Sequence, residues 1–325
     1  GYCFAPPDFA GPLPTGLLHP KRVRDGVHHG VIDGGNQSGI PYGRGWELFD
    51  DRYLGKPLVF CGTVGALPVS IAGSPGEEKA ARPGDAVVMV GGRIGADGIH
   101  GATFSSAALD ESSPTQAVQI GDPITQKMMF DFLLEARSRG LYSAITDNGA
   151  GGLSSSVGEM AEACGGADLD LSLAPVKYAG LAPWEIFLSE AQERMTLAVP
   201  LEQIPELLEL AAQREVEATV LGEFTDEQSL RVRWGEKTVA LLDMAFLHDG
   251  GPRMRLEAEW RAPQFDEPTA RPEDCSSTLV ELMARLNLAS NEATARHYDH
   301  EVKGLSVVRP FVGAEADVPA EATVF

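Results

Sequence analysis

QIGDPITQKMMFDFLLEARSRGLYSAITDNGAGG, residues 119–152, is the stretch whose reading decides the fold. Asp122 and Pro123 form a helix-starting pair, because the aspartate accepts bonds from free amide groups and the proline ring presets φ at the first helical position. Ile124, Met128, Met129, Phe132, Leu133 and Ala136 then recur at helical spacing. Arg137 and Arg139 suit the negative end of the helix dipole, and Gly140 supplies the stop. The apolar run from Leu141 to Ile145 predicts a buried strand that ends at Asp147. Asn148 to Gly152 reads as a loop, and Ser154, Ser155 and Ser156 offer caps for a second helix from Val157 to Cys164. Helix, strand, glycine loop and helix in succession predict an α/β (α+β) fold.

Asp147 carries the chemistry of this stretch. A carboxylate at the carboxyl end of a strand, followed by glycines whose amides can approach a ligand closely, suits a phosphate bridged by Mg²⁺. That ion needs only one or two protein carboxylates beside phosphate and water oxygens. The competing reading is an Asx-turn, in which the same side chain merely closes the bend.

Composition narrows the alternatives. The chain has 325 residues, 43% of them apolar, enough for two packed domains. No apolar run nears the roughly 18 residues of a membrane helix, and the opening segment lacks the basic-then-apolar order of a signal peptide. The first residue is Gly1 rather than methionine, which predicts a processed or partial chain. Cys3, Cys61, Cys164 and Cys275 lie far apart without CxxC spacing, which argues for reduced thiols used as core filler and a cytoplasmic location. A net charge of −21 repels nucleic acid and anionic membranes. It leaves room for a small phosphorylated ligand held by local amides and Mg²⁺.

Along the chain, Pro20 starts a helix carrying Val23, Val27 and Val31. The adjacent His28 and His29 diverge on that helix and read as surface or packing residues rather than a metal pair. Pro57 to Val64 predicts a strand, as does Asp85 to Val90. The loop GGRIGADG after it lacks the lysine of a phosphate-binding loop. His100 within it reads as a histidine bonding loop carbonyls, with Asp97 as the carboxylate that would orient it in a catalytic role. Ala167 to Leu173 alternates as a half-buried strand, with Asp168 and Asp170 on a solvated face. SEAQER, residues 189–194, reads on its own as a helix end with an Arg194 ion pair. Residues 250–275 read as an extended linker and Ser276 as the cap of a further helix.

Seven segments in order, GGNQSGIP, LVFCGTVG, GRIGADGIHGATFSS, VQIGDPITQK, ITDNGAGGLSSSVGEMA, PWEIFLSEAQERM and YDHEVKG, closely resemble the synthetase portion of phosphoribosylformylglycinamidine synthase, also called formylglycinamide ribonucleotide amidotransferase. The likeness covers nearly the whole chain and weakens in the linkers. It implies an internal piece of an AIR-synthetase-like protein. Residues 1–70 would end a first N-terminal-type domain, 84–230 form a C-terminal-type α/β domain, 250–295 a linker and helix, and 296–325 begin a second N-terminal-type domain. It also implies a cytoplasmic purine-biosynthesis ligase. That enzyme makes an amidine from formylglycinamide ribonucleotide, with ATP, Mg²⁺ and ammonia drawn from glutamine by a glutaminase subunit or domain.

Position by position, the resemblance makes Asp147 a magnesium ligand and Gln119 a substrate contact. Glu190, Ala191 and Gln192 match a Glu-Ser-Gln substrate segment in which alanine replaces serine here. No Thr-His-Asn-His-Pro-type motif is present, so no catalytic residue is assigned and the 325 residues alone are expected to be inert. The alternatives are another ATP-dependent enzyme of the AIR-synthetase superfamily and a non-catalytic binding module.

Overall fold

The structure is a computed structural model that describes residues 1–78, 80–106, 118–267 and 273–325. It divides into two compact units, one of residues 1–64 with 254–325 and one of residues 65–253.

The first unit opens with β1 (Tyr2–Phe4), α1 (Pro20–Ser38), β2 (Glu47–Phe49) and β3 (Leu58–Val59). β1 lies between β2, parallel to it, and β3, antiparallel to it. The strand expected over Pro57–Val64 is only two residues long, because β1 offers β3 just Tyr2 and Cys3 as partners. Beyond that pairing Val64 is fully exposed. His28 is a packing residue, buried on α1 between Glu47 and Tyr298.

The second unit contains a short hairpin, β4 (Ser70–Ile71) and β5 (Ser74–Pro75), then β6 (Ala86–Gly91), α2 (Gly101–Ser106), α3 (Pro123–Arg139), β7 (Ala144–Asp147) and α4 (Leu153–Cys164). It continues through β8 (Gly166–Asp170), α5 (Pro183–Leu188), β9 (Arg194–Val199), α6 (Ile204–Gln213), β10 (Ala218–Thr225), β11 (Ser229–Trp234), β12 (Lys237–Asp243) and α7 (Met244–Asp249). Seven strands form one sheet in the order β12-β11-β8-β10-β6-β9-β7. Every neighbouring pair is antiparallel except β8 with β11.

β6 shows why the sequence reads as a continuous apolar run. Val87 and Met89 enter one core with Leu153, Val157 and Ile186, while Ala86, Val88 and Val90 enter another with Phe132, Leu133 and Leu207. A strand covered on both faces has no polar alternation to show. Nearer the β12 edge, Arg231 and Arg233 pair instead with Asp168, and Arg233 also with Asp170. The carboxylates expected to be merely solvated are thus ion-paired.

Local signals decide the elements around the key stretch. Asp122 accepts from the Ile124 amide at 3.1 Å and starts α3. Gly140 ends it in the left-handed conformation, and the Leu141 amide still bonds the Ala136 carbonyl at 3.0 Å. That bond keeps Leu141 in the helix stop, so β7 begins at Ala144 rather than at Leu141. α4 likewise starts earlier than expected, at Leu153, with Gly152 rather than a serine at its cap. The strand expected over Ala167–Leu173 ends at Asp170, which accepts from the Ser172 amide and caps a 3-10 turn, Leu171–Leu173.

The first unit is completed by α8 (Ser276–Met283), α9 (Glu292–Ala295) and a hairpin of β13 (Phe311–Val312) with β14 (Val318–Pro319). Of the linker expected at 250–275, residues 268–272 lie outside the described ones, and the flanking stretches 252–267 and 273–275 carry no helix or strand. Cys61 and Cys275 are exposed rather than core filler; Cys3 is buried, and burial pushes the half-buried Cys164 thiol up. Among the described residues no helix is long and apolar enough to cross a membrane.

Candidate functional site

β7 and β9 run antiparallel with Asp147 opposite Met195, so β7 ends where β9 begins, at the same end of the sheet. There the loop after β7 meets the segment before β9. Gly152 has φ +57, and a Cβ on it would stand 2.1 Å from the Ser189 carbonyl oxygen. Only glycine allows the two backbones to approach so closely at that φ.

Glu190 is the centre of the contact and is 4% exposed. Its carboxylate accepts from the Gln119 carboxamide at 3.0 Å and from the Gly151 amide at 3.3 Å. Gln192 in turn donates through Nε2 to the Gln119 side-chain oxygen and, at 3.3 Å, to the Glu190 carbonyl. The loop after β6 closes over these groups. Gly98 has φ +76, and a Cβ there would lie 2.7 Å from the Glu190 Cβ and 2.9 Å from Gln119. Three residues singled out in the sequence, Gln119, Glu190 and Gln192, are therefore brought into one hydrogen-bonded group although 71 positions separate the first two.

Ala191 differs from its neighbours. It is fully buried, and its amide donates to Ser189 Oγ at 3.2 Å. Arg194 does not make the ion pair expected of it. At 3% exposure its Nε donates to the Ala191 carbonyl at 2.8 Å and its Nη2 to the Ser189 carbonyl. Burial pushes this guanidinium down to about 10, so it stays a cation at neutral pH. Glu193 between them adopts φ +57, and its own burial raises its carboxyl despite a backbone hydrogen bond from Asp122.

Asp147 is exposed at the last position of β7, with its carboxylate clear of the apolar cores. An ideal Cβ on Gly149 would come 2.5 Å from Asp147 Oδ2, so the glycine leaves that oxygen space. A hard, exposed carboxylate beside open backbone fits Mg²⁺ in its usual role of binding through one carboxylate plus ligand and water oxygens. Among the described residues no group of three or more His, Cys, Asp or Glu side chains is arranged to hold a metal unaided. The next residue, Asn148, is buried. Its Oδ1 accepts from Ser156 Oγ at 2.7 Å and Thr196 Oγ1 at 3.0 Å, whereas its Nδ2 has no partner.

The role weighed for His100 with Asp97 is not built. Asp97 pairs with Lys177 at 3.0 Å, and His100 is exposed with φ +62, its carbonyl starting α2. Gly98 and Gly151 were given no role by the sequence, and Arg194 was read only as half of an ion pair. The adjacency of SEAQER to PWEIFL was a signal for a fixed turn, but nothing in it identified backbone carbonyls as the partners of Arg194.

Comparison with known proteins bears on the family and the fold. Residues 82–235 match the family described as AIR synthase related protein, C-terminal domain. The phosphoribosylformylglycinamidine synthase subunit PurL of Methanopyrus kandleri is 40% identical over 310 residues, which cover 92% of this chain and 42% of that protein. Its counterpart in Thermoplasma acidophilum is 37% identical, covering 95% and 41%. The solved structure of T. maritima PurL complexed with FGAR superposes with a TM-score of 0.64 at 28% identity, over 75% of this chain and 40% of that one. The structure of PurLQS from Thermotoga maritima gives 0.65 at 25% identity, over 89% and 44%. The chain spans about two-fifths of the length of the curated relatives it matches. The chain is accordingly PurL-like, similar over most of its length to about two-fifths of phosphoribosylformylglycinamidine synthase subunits, and its residues 82–235 match the AIR-synthase-related C-terminal domain.

Proposed function

We propose that the chain serves a ligase of purine biosynthesis that converts formylglycinamide ribonucleotide, ATP and glutamine-derived ammonia to formylglycinamidine ribonucleotide, ADP and phosphate. The observation that carries this reading is the joined group of Gln119, Glu190 and Gln192 beneath Gly98. Relatives support the ligands: solved structures of T. maritima PurL are described as complexed with FGAR and with ATP. The solved structure of PurLQS from Thermotoga maritima supports an assembly with further subunits, and a glutaminase subunit or domain is the partner this reading requires.

In this reading the side chains of Gln119, Glu190 and Gln192 hold the ribonucleotide, exchanging their mutual hydrogen bonds for bonds to its hydroxyl and amide groups. Ala191 contributes backbone only, since its methyl is buried. Asp147 holds Mg²⁺, which when bound neutralises phosphate charge and aligns the anionic ligands. Asn148 Nδ2 is a buried donor for a ligand or water oxygen. Chemistry of this type asks a protein mainly to position two reactants in line and to offset charge. The reaction takes place in the cytoplasm and needs residues beyond those of this site.

Titration calorimetry with formylglycinamide ribonucleotide, with and without Mg²⁺, tests the reading. Binding that weakens at least tenfold in Glu190→Gln and loses its Mg²⁺ dependence in Asp147→Asn is expected. Binding indifferent to both substitutions would overturn it.

A further inference from the structure

We infer that Arg194 is the positioning residue of this site, a buried cation that sets the geometry of Glu190 and Gln192 by gripping the main chain on either side of Glu190. The inference rests on the substrate reading above for its function, but its geometry stands alone. Arg194 Nε bonds the Ala191 carbonyl at 2.8 Å and Nη2 the Ser189 carbonyl, so the two acceptors flank residue 190. The main chain of Arg194 meets the other half of the site, because its carbonyl accepts from the Asn148 amide at 3.1 Å. One residue thus links the turn that presents Glu190 to the strand end that presents Asp147.

The arrangement is unusual in its charge. Asp50 pairs with exposed Arg52, and Glu217 with exposed Arg93, as surface arginines ordinarily do. Arg194 is 3% exposed, and the acceptors of its nitrogens are two carbonyls and, at 3.8 Å, the Met89 sulfur. Burying a cation against neutral acceptors is costly, and the guanidinium geometry is what makes the two carbonyl bonds simultaneous. The turn it closes is itself strained, with Glu193 in the left-handed region. A lysine reaches one carbonyl with a point charge and leaves the second acceptor unpaired.

The test compares the chain with its Arg194→Lys and Arg194→Met variants, using formylglycinamide ribonucleotide as the probe and side-chain amide NMR as a second readout. In Arg194→Lys the carboxamide resonances of Gln119 and Gln192 shift and broaden while methyl resonances of Val88, Val157 and Leu207 stay in place. Ribonucleotide affinity falls at least tenfold. Arg194→Met, which keeps the volume and removes the charge and fork, shows the same local change to a greater degree. If the unaltered chain does not bind the ribonucleotide, the substrate reading fails, and the carboxamide resonances still decide the positioning role. Unchanged carboxamide resonances in Arg194→Lys overturn the inference, as does a change spread evenly over the core methyls.

Discussion

Glu47 in the first unit and Glu190 in the sheet unit are both sequestered from water, and they are compensated in different ways. The Glu47 side chain is 4% exposed and accepts from Arg24 Nε at 2.7 Å, Arg24 Nη2 at 2.8 Å and His28 Nε2 at 2.7 Å. Burial alone would raise its carboxyl, but the hydrogen bonds from His28 and Arg24 hold it down at about 2. His28 passes the network to Tyr298, whose hydroxyl lies 3.1 Å from that of Tyr2. Glu190 accepts from a carboxamide and a backbone amide. Charge-assisted bonds of the first kind are strong and fix a fold. Amide donors of the second kind are weaker and can be exchanged for a ligand's groups at little loss. The same side chain is tied by charged partners in one place and accepts from amide donors in the other.

The comparison can be broken most easily at Glu47. Glu47→Gln leaves Arg24 and His28 with a weakened partner and is expected to cost about 2–4 kcal/mol in urea unfolding, whereas Glu190→Gln costs about 1 kcal/mol or less. Equal losses would remove the distinction. The same anchor predicts an acid limit. The Glu47 carboxyl is depressed in the folded state, so its contribution is complete above its ordinary value of 4.5 and disappears as pH falls towards about 2. Melting curves from pH 6 to 2.5 should show a steeper loss in the unaltered chain than in Glu47→Gln.

Gly98→Ala sharpens the other side. A methyl 2.7 Å from the Glu190 Cβ, on a residue with φ +76, should destabilise by about 1–3 kcal/mol and disturb ribonucleotide binding more than melting. Calorimetry beside thermal melting separates the two effects. The smallest change in stability belongs to Asp147→Asn. An exposed strand-end position should stay within about 0.5 kcal/mol in urea unfolding while the Mg²⁺ dependence of binding is lost.

Local features carried the legible part of the fold. Asp122, Pro123 and Gly140 mark both ends of α3 because caps act within a few residues. β6 was legible because a strand buried on both faces must be apolar throughout. The site was legible in part: Gln119, Glu190 and Gln192 came from resemblance, and the structure brings them together. Arg194 was misread because its acceptors are main-chain carbonyls, which leave no trace in residue identity. The His28–Tyr298 contact was invisible because 270 positions separate its members. The segment from Pro57 to Val64 shows the converse, β-prone residues of which only Leu58 and Val59 pair as a strand because their neighbouring strand is short.

The bonds among Asn148, Ser156 and Thr196 have a consequence for how Asp147 is held. Ser156 Oγ and Thr196 Oγ1 lie 2.9 Å apart and both bond Asn148 Oδ1, so the opening turn of α4 is latched to β9 immediately behind the Asp147 carboxylate. The strand end that carries Asp147 is thereby tied through its next residue to two elements at once, while Gly149 to Gly152 are held by backbone bonds and by the Gly151 amide on Glu190.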